Sequence, residues 1–233
     1  MPDQTRQVAV LLFTRSPQEE ARYKAFAGAG KQALNTRIAE SLIGHAEKII
    51  RNSGLPAYII DSAHQKGNSF GEKFAHAMQQ VFAKGFEHVI SIGNDCLHLQ
   101  ASDLQKAARE LRQKKVVFGP AKDGGLYLIG MHRSVFNANS FSALHWDTPN
   151  VMDEMLERFA IEPCDSEIFA ELADADSGAQ LEHLLYTFYT NISLRAFLLS
   201  LIASVHDRMQ EAAARSIDIF RQRSKSLRAP PAC

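Results

Sequence analysis

Cysteine is scarce and badly placed for structural chemistry. Cys96, Cys164 and Cys233 are far apart and odd in number, without the close pairs of a zinc site or the even set of a secreted disulfide framework. A reducing compartment, the cytoplasm, is therefore expected. Charge of one sign is not in excess either: Lys plus Arg and Asp plus Glu number 26 each. That balance gives no bulk attraction to nucleic acid or to an anionic membrane surface, so specificity has to come from a local site. Long hydrophobic runs are missing too. The most apolar late stretch, ISLRAFLLSLIASV at 192–205, is interrupted by Arg195 and is too short to cross ~30 Å of hydrocarbon. It reads as a packed helix that covers the core or meets a second copy of the chain. The opening MPDQTRQ has no charged, apolar and small-residue signal pattern, so the mature protein is expected to start here.

Several catalytic signatures are absent as well. The chain contains no G-x-S-x-G, no H-E-x-x-H and no G-x-G-x-x-G, which removes the nucleophile elbow, the zincin helix and the dinucleotide fingerprint. Gly28-Ala29-Gly30-Lys31 resembles a phosphate loop, but Ala25 and Gln32 stand where a Walker A pattern needs glycine and Ser or Thr, so a P-loop ATPase is excluded. No internal repeat and no low-complexity tract occurs.

What is present is an alternation of strands and helices. The 233 residues, 45% hydrophobic, suffice for one sizeable core. VAVLLFT at 8–14 is a continuous apolar run of the kind covered on both faces in a parallel sheet, and 57–61 and HVISIG at 88–93 read the same way. Between the last two, Phe70, Phe74, Ala77, Met78, Val81 and Phe82 recur at helical spacing, with Gly85 at the expected C-terminal cap. A second helix is expected from Ser102 with Gln105 closing a capping box, followed by a strand over 116–120. Thr148 as cap and Pro149 at the first helical position predict a helix through Val151, Met155 and Phe159. Beyond 173–177 the chain reads as helix to about Arg223, with a frayed basic tail. The pattern as a whole predicts a doubly wound, mostly parallel sheet, whose ligands bind at the carboxyl ends of the strands.

Three strand ends carry polar groups. Asp95, just after the 88–93 strand, is placed to hold a hard divalent cation whose other positions go to phosphate oxygens and water; a turn or helix-capping aspartate would occupy the same place. Asp123-Gly124-Gly125 reads equally as a hairpin turn and as a close backbone approach to a ligand. Asp174 and Asp176 lie on one side of an extended chain and become further metal ligands if the fold brings them beside Asp95. His145 and Trp146 can touch a sugar or base, or simply pack.

These residues also carry a family resemblance. LLFTRSP at 11–17, GNDCLHL at 93–99, GPAKDGGLYLIGM at 119–131 and HWDTPNV at 145–151 resemble, in order and spacing over about residues 8–185, the glycosyltransferase-like family described as radical-SAM/selenodomain-associated transferases. That family is similar to the GT-A nucleotide-diphospho-sugar transferase superfamily. The resemblance implies a GT-A-like three-layer α/β sandwich with a mostly parallel sheet over 1–185 and a helical C-terminal extension and tail over 186–233 in the same globular unit. It implies Mg²⁺ or Mn²⁺ on Asp95 and Asp176, with Arg15, Lys24 and Asn94 at the nucleotide phosphates. Asp123 would orient or deprotonate the acceptor, and Gly124, Gly125 and Trp146 would contact substrate. The implied activity is transfer from a nucleotide-sugar to an unknown acceptor; a nucleotidyltransferase consuming a nucleoside triphosphate and a nucleotide-binding or assembly module without turnover stand as alternatives. The chain departs from the family where Glu19, Glu20 and Phe26 fill the phosphate loop, and where Asn94, Leu97 and His98 follow the metal strand. No nucleic-acid partner and no membrane span are expected; the 179–206 stripe would pair two subunits in a homodimer or, equally well, cover the core.

Overall fold

The computed structural model describes residues 7–146, 148–187 and 192–203. The chain divides into two compact units, Met1–Thr190 and Asn191–Cys233. In the second, 192–203 is helical; the remainder of the helix expected to about Arg223, and the basic tail, lie outside the described residues. Among the described residues, no helix is long and apolar enough to cross a membrane.

The first unit is built on a six-stranded sheet in the order β2-β1-β3-β5-β4-β6. Its strands are β1 (Val8–Phe13), β2 (Ala57–Ile60), β3 (His88–Ile92), β4 (Val116–Pro120), β5 (Leu126–His132) and β6 (Ser166–Ile168). β1 runs parallel to β2 and β3, β4 runs parallel to β6, and β5 alone is antiparallel to its neighbours β3 and β4. The sheet is thus mostly parallel, as the strand and helix alternation predicts.

Period-two alternation sends the strand residues to two separate cores. Val10, Leu12, Ile90, Ile92, Val117 and Leu128 pack against Ile43, Ala46, Ile49 and Ile50 of α2 (Gln32–Ser53) and Leu104, Ala107 and Leu111 in and just after α4 (Ala101–Glu110). Ala9, Leu11, Val89, Val116, Phe118 and Ile129 face Phe74, Ala77, Met78 and Val81 of α3 (Phe70–Phe82), Phe141 of α5 (Ala138–Ser142) and Met155 of α6 (Val151–Arg158). Helices on both faces make three layers. Each fully buried Leu, Ile or Phe contributes ~1.5–3 kcal/mol, which is why β1 and β3, inside the sheet, read so clearly.

Several local expectations change. β2 is an edge strand with Ile59 half exposed, so its apolar letters do not mark burial on both faces. The box opening α4 is made by Gln100 and Asp103, two residues earlier than Ser102 and Gln105; Gln105 instead donates to the Ser53 carbonyl. α6 starts after Asn150, two residues later than expected and without a side-chain cap, and Thr148 sits in the preceding turn with its hydroxyl donating to the His145 carbonyl. α3 ends on Ala83, two residues before Gly85. The expected helix over 179–206 is α7 (Gly178–Thr187) and then 192–203, with 188–191 outside the described residues.

At the amino end of β3, His88 is buried with Nδ1 3.2 Å from the Gln7 carbonyl and its ring 4.7 Å from that of His132. Burial first, with the charge of His132 as a smaller factor, holds its pKa below the ordinary 6.5. The unfolded chain therefore binds more protons as pH falls below 6.5, so stability present above that pH is lost through the depressed folded value. The melting temperature is expected to be level down to about pH 7 and to fall below it, with a shallower acid limb in His88→Gln. An unchanged limb would assign the acid loss to other groups.

Candidate functional site

A cavity of about 370 Å³ opens at the carboxyl ends of β1 and β3 and beside the β4–β5 hairpin. Three short segments converge on it. The first follows β1: Ser16 caps α1 (Pro17–Tyr23) through its hydroxyl, and Pro17 sets the first helical residue. That turn places Glu20, 2% exposed, so that one carboxylate oxygen accepts from Arg15 Nη1 at 3.1 Å and the other from Asn94 Nδ2 at 3.4 Å. The Asn94 amide oxygen in turn accepts from the Thr14 hydroxyl at 2.8 Å. Arg15 also lies over the Tyr23 ring, 3.8 Å from its centre.

The second and third segments are the end of β3, bearing Asp95, and the 174–176 stretch, tied to it by the Ala175 N–H donating to the Asp95 carbonyl at 3.0 Å. Lys24 lies between them. Its ammonium is 2.7 Å from Asp95 Oδ2 and 2.7 Å from Asp176 Oδ1, donates to the Ala175 carbonyl at 3.2 Å, and has Glu20 Oε1 at 3.8 Å. Asp95 and Asp176, 81 positions apart in sequence, therefore converge on one cation. Lys24 is 6% exposed and its pKa is raised: burial opposes the charge, and Asp95 and Asp176 more than offset it.

Asp174 completes the acidic wall. Its Oδ1 is buried without a hydrogen-bond partner, and burial, then the charges of Asp95, Asp123 and Asp176, push its pKa up to about 8. At neutral pH it is predominantly protonated. Cys96, behind this wall, has its thiol pushed up by burial, which removes it as a nucleophile.

The hairpin makes the turn that one of its sequence readings expects and lies beside the cavity. Asp123 and Gly125 line the cavity, and Asp123 Oδ1 accepts from the Gly125 N–H at 2.9 Å. Gly124 does not contact the cavity. It takes φ 93°, and a Cβ there would lie 2.4 Å from Pro149 Cβ, so it serves turn and packing. Trp146 lines the opposite wall with Phe13, Phe70 and Phe74; its indole N–H donates to the Phe141 carbonyl at 3.1 Å, and its ring packs 5.0 Å from Phe74 and 5.7 Å from Phe70.

Of the sequence candidates, Arg15, Asn94, Asp95, Asp123, Gly125, Trp146 and Asp176 share this cavity. Lys24 differs from its expected place: it faces no open phosphate loop but stands behind the wall, holding two carboxylates. Glu20, an acidic departure from the family in the phosphate loop, is the buried hub that orients Arg15 and Asn94. Phe26, the apolar departure in the same loop, is 5% exposed and belongs to the core. Gln65, Lys73 and Phe70, the last read from sequence only as part of a packed helix face, also line the cavity; the Ser69 to Glu72 capping box that opens α3 is the sequence signal that places Phe70 and Lys73 in its first turn.

The donor set suits a hard cation. Among the described residues no three His, Cys, Asp or Glu side chains come together as a metal cluster. Asp95 and Asp176 nevertheless reach a common point already occupied by a positive charge, each has a second carboxylate oxygen, and both line the cavity. Two carboxylates with phosphate and water oxygens are a common Mg²⁺ arrangement. Glu20, Asp95, Asp123 and Asp176 also line the cavity against Arg15 and Lys73, with Lys24 shared between Asp95 and Asp176, so the lining is acidic on balance and an accompanying cation favours an anionic ligand there.

Residues 43–148 match a family model described as an uncharacterized protein conserved in bacteria, DUF2064. Among solved structures, a candidate nucleotide-diphospho-sugar transferase from Desulfovibrio desulfuricans G20 is similar at TM-score 0.73 and 21% identity, over 86% of this chain and 97% of that one. Rv0371c from Mycobacterium tuberculosis H37Rv, in complex with manganese, is more distant, with TM-score 0.48 and 11% identity over 78% of this chain and 100% of that one. A 4-diphosphocytidyl-2C-methyl-D-erythritol synthase from Anaerococcus prevotii DSM 20548 has TM-score 0.48 and 8% identity over 84% and 97%. No curated protein matches the chain. The expected GT-A-like architecture is borne out at the level of fold.

Proposed function

From a chain whose fold is that of the nucleotide-diphospho-sugar transferases, we propose a metal-dependent transferase that takes a nucleotide-sugar, with its diphosphate at the acidic wall and its sugar toward the hairpin. The observation that carries this reading is the convergence of Asp95 and Asp176 on one cation at the carboxyl end of the central strands. These two carboxylates would hold Mg²⁺ or Mn²⁺. When bound, the ion supplies charge neutralisation to a diphosphate leaving group.

The chain's own residues do the rest. Arg15, steadied by Glu20, offers a guanidinium to phosphate oxygens, and Asn94, fixed between Thr14 and Glu20, offers no charge but a set orientation. Phe70 and Trp146 give a ring a flat apolar side on which to rest. Asp123 at the hairpin presents a carboxylate to the acceptor hydroxyl, where it accepts the proton as the new bond forms.

A second reading, a binding module without turnover, is favoured by one observation: Arg15 and Lys24 already have carboxylate partners in Glu20, Asp95 and Asp176. Product analysis separates the readings. With Mn²⁺, a panel of sugar nucleotides and nucleoside triphosphates, and a mixture of hydroxyl- and phosphate-bearing acceptors to take the transferred group, a glycosyl transferase releases a nucleoside diphosphate, whereas a nucleotidyl transferase releases pyrophosphate. Release of the diphosphate is the expected result. Pyrophosphate would move the bond that breaks to the donor phosphate, and binding without product from any donor would leave the module.

A further inference from the structure

Lys24 is the only lysine or arginine that an ion pair ties to Asp95 or Asp176 among the described residues. The ammonium has three N–H groups, and three acceptors meet it: Asp95 Oδ2 and Asp176 Oδ1 at 2.7 Å and the Ala175 carbonyl at 3.2 Å. Two of these contacts are hydrogen bonds, to Asp95 and to the Ala175 carbonyl, and the third is the close ion pair to Asp176, which makes this a settled charge and not a passing contact. Two carboxylates brought to one point repel unless a cation stands between them, and here the chain provides one. A fourth group, Glu20 Oε1, waits 3.8 Å away, on the cavity wall.

We infer that Lys24 is a resident counter-cation that competes with the divalent ion for the Asp95 and Asp176 carboxylates, and that ion binding hands its ammonium over to Glu20 and the cavity. The inference rests on the metal-dependent reading of the same carboxylates. It adds a positioning role for a residue that the site would otherwise lack a use for. Without the ion, Lys24 ties three separate segments together: the end of α1, the end of β3 and the 174–176 stretch. With the ion, the same three segments are held by the divalent charge, and the lysine becomes a further positive group, with Arg15 and Lys73, for an anionic ligand. A protein-borne competitor also implies an ion affinity weaker than the bare carboxylate pair would give, because the measured affinity is scaled by the fraction of sites the ammonium has vacated.

The test is Mn²⁺ binding, without any nucleotide, to the full chain and to Lys24→Met, read by the loss of the free-ion paramagnetic resonance signal, with melting temperatures in chelator alongside. Competition predicts that Lys24→Met melts lower than wild type in chelator, binds Mn²⁺ about tenfold tighter or more, and gains more from Mn²⁺ in melting temperature. Equal or weaker binding in Lys24→Met would overturn the inference while leaving the metal reading in place, since wild type would still bind. Absence of Mn²⁺ binding in both proteins would overturn the two together. A measurement on wild type alone covers a variant that does not fold: reductive methylation of Lys24, read by mass spectrometry, is expected to rise severalfold when Mn²⁺ is added. Unchanged protection of Lys24 at saturating Mn²⁺ would mean that the ammonium never leaves the pair.

Discussion

Replacing Asp95 by alanine is expected to abolish the rise in melting temperature that a sugar nucleotide and Mn²⁺ give the wild type, and to lower turnover by on the order of 10²-fold or more. A ligand at about 100 times its dissociation constant stabilises the folded state by ~2.7 kcal/mol, which for a protein of this size is roughly 5–10 °C. Asp95 sits at the end of β3 with its side chain 27% exposed, so its removal leaves the core untouched. The loss belongs to the site. In the absence of ligand the same substitution has two opposing effects: Lys24 loses one partner, while the negative charge that helps to raise the Asp174 pKa is relieved. The expected net change in melting temperature without ligand is therefore small. Differential scanning with and without Mn²⁺ and the donor checks both halves, and Asp95→Asn provides a neutral variant of the same shape. A full ligand-dependent shift in Asp95→Ala would remove this carboxylate from the cation site.

How much of this was legible in the sequence depends on whether the signal is local. β1, β3 and α3 are legible because their apolar residues are buried where the periodicity says: Val10, Leu11 and Leu12 in the sheet, and Phe74, Met78 and Val81 on one helix face. β2 misleads because an edge strand can carry the same apolar letters as a central one. α2, the 22-residue helix ended by Gly54 in the left-handed region, carries Ile38, Leu42, Ala46, Ile49 and Ile50 at helical spacing but is hard to place from sequence, because Lys31 gives its start no side-chain cap and its first turn no acidic residue. β6, three residues long with half-exposed side chains, has no periodic signal to find.

The site divides along the same line. Asp95, Asp123 and Trp146 could be picked out because each follows or flanks a recognisable element. Their relation to Lys24 and Asp176 could not, since nothing in spacing links positions 24, 95 and 176; it follows from sheet order, which places β1 beside β3. The family likeness supplied Asp176 but misplaced Lys24, because the phosphate loop it implies is here a short helix whose Glu20 is buried. The acidic residue that counts against phosphate binding in a linear reading turns, in three dimensions, into the group that fixes Arg15 and Asn94.

Gly178→Ala should disable the acidic wall without altering one charged residue. A Cβ at Gly178 would lie 2.1 Å from the Phe26 carbonyl oxygen and 3.1 Å from its carbon, backbone atoms that cannot rotate away as a side-chain tip can. Residue 178 starts α7, two positions after Asp176, and Phe26 is two positions after Lys24, so this contact presses the two sides of the Lys24–Asp176 pair together. A methyl group forces them apart. Overpacking of this kind costs ~1–3 kcal/mol, or roughly 2–12 °C in melting temperature for a protein of this size. The ligand-dependent shift should fall with it, since Asp176 leaves the point it shares with Asp95. Gly44→Ala is the matched control. Gly44 lies exposed within α2 with no atom within 4 Å of an added Cβ, and the exchange is expected to stabilise by about 0.5–1 kcal/mol with the ligand response intact. If Gly178→Ala melts as wild type does and keeps its full response to Mn²⁺ and donor, the segment bearing Asp176 is not held by this contact, and the register of the carboxylate pair must be set by the Ala175 to Asp95 backbone bond and Lys24 alone.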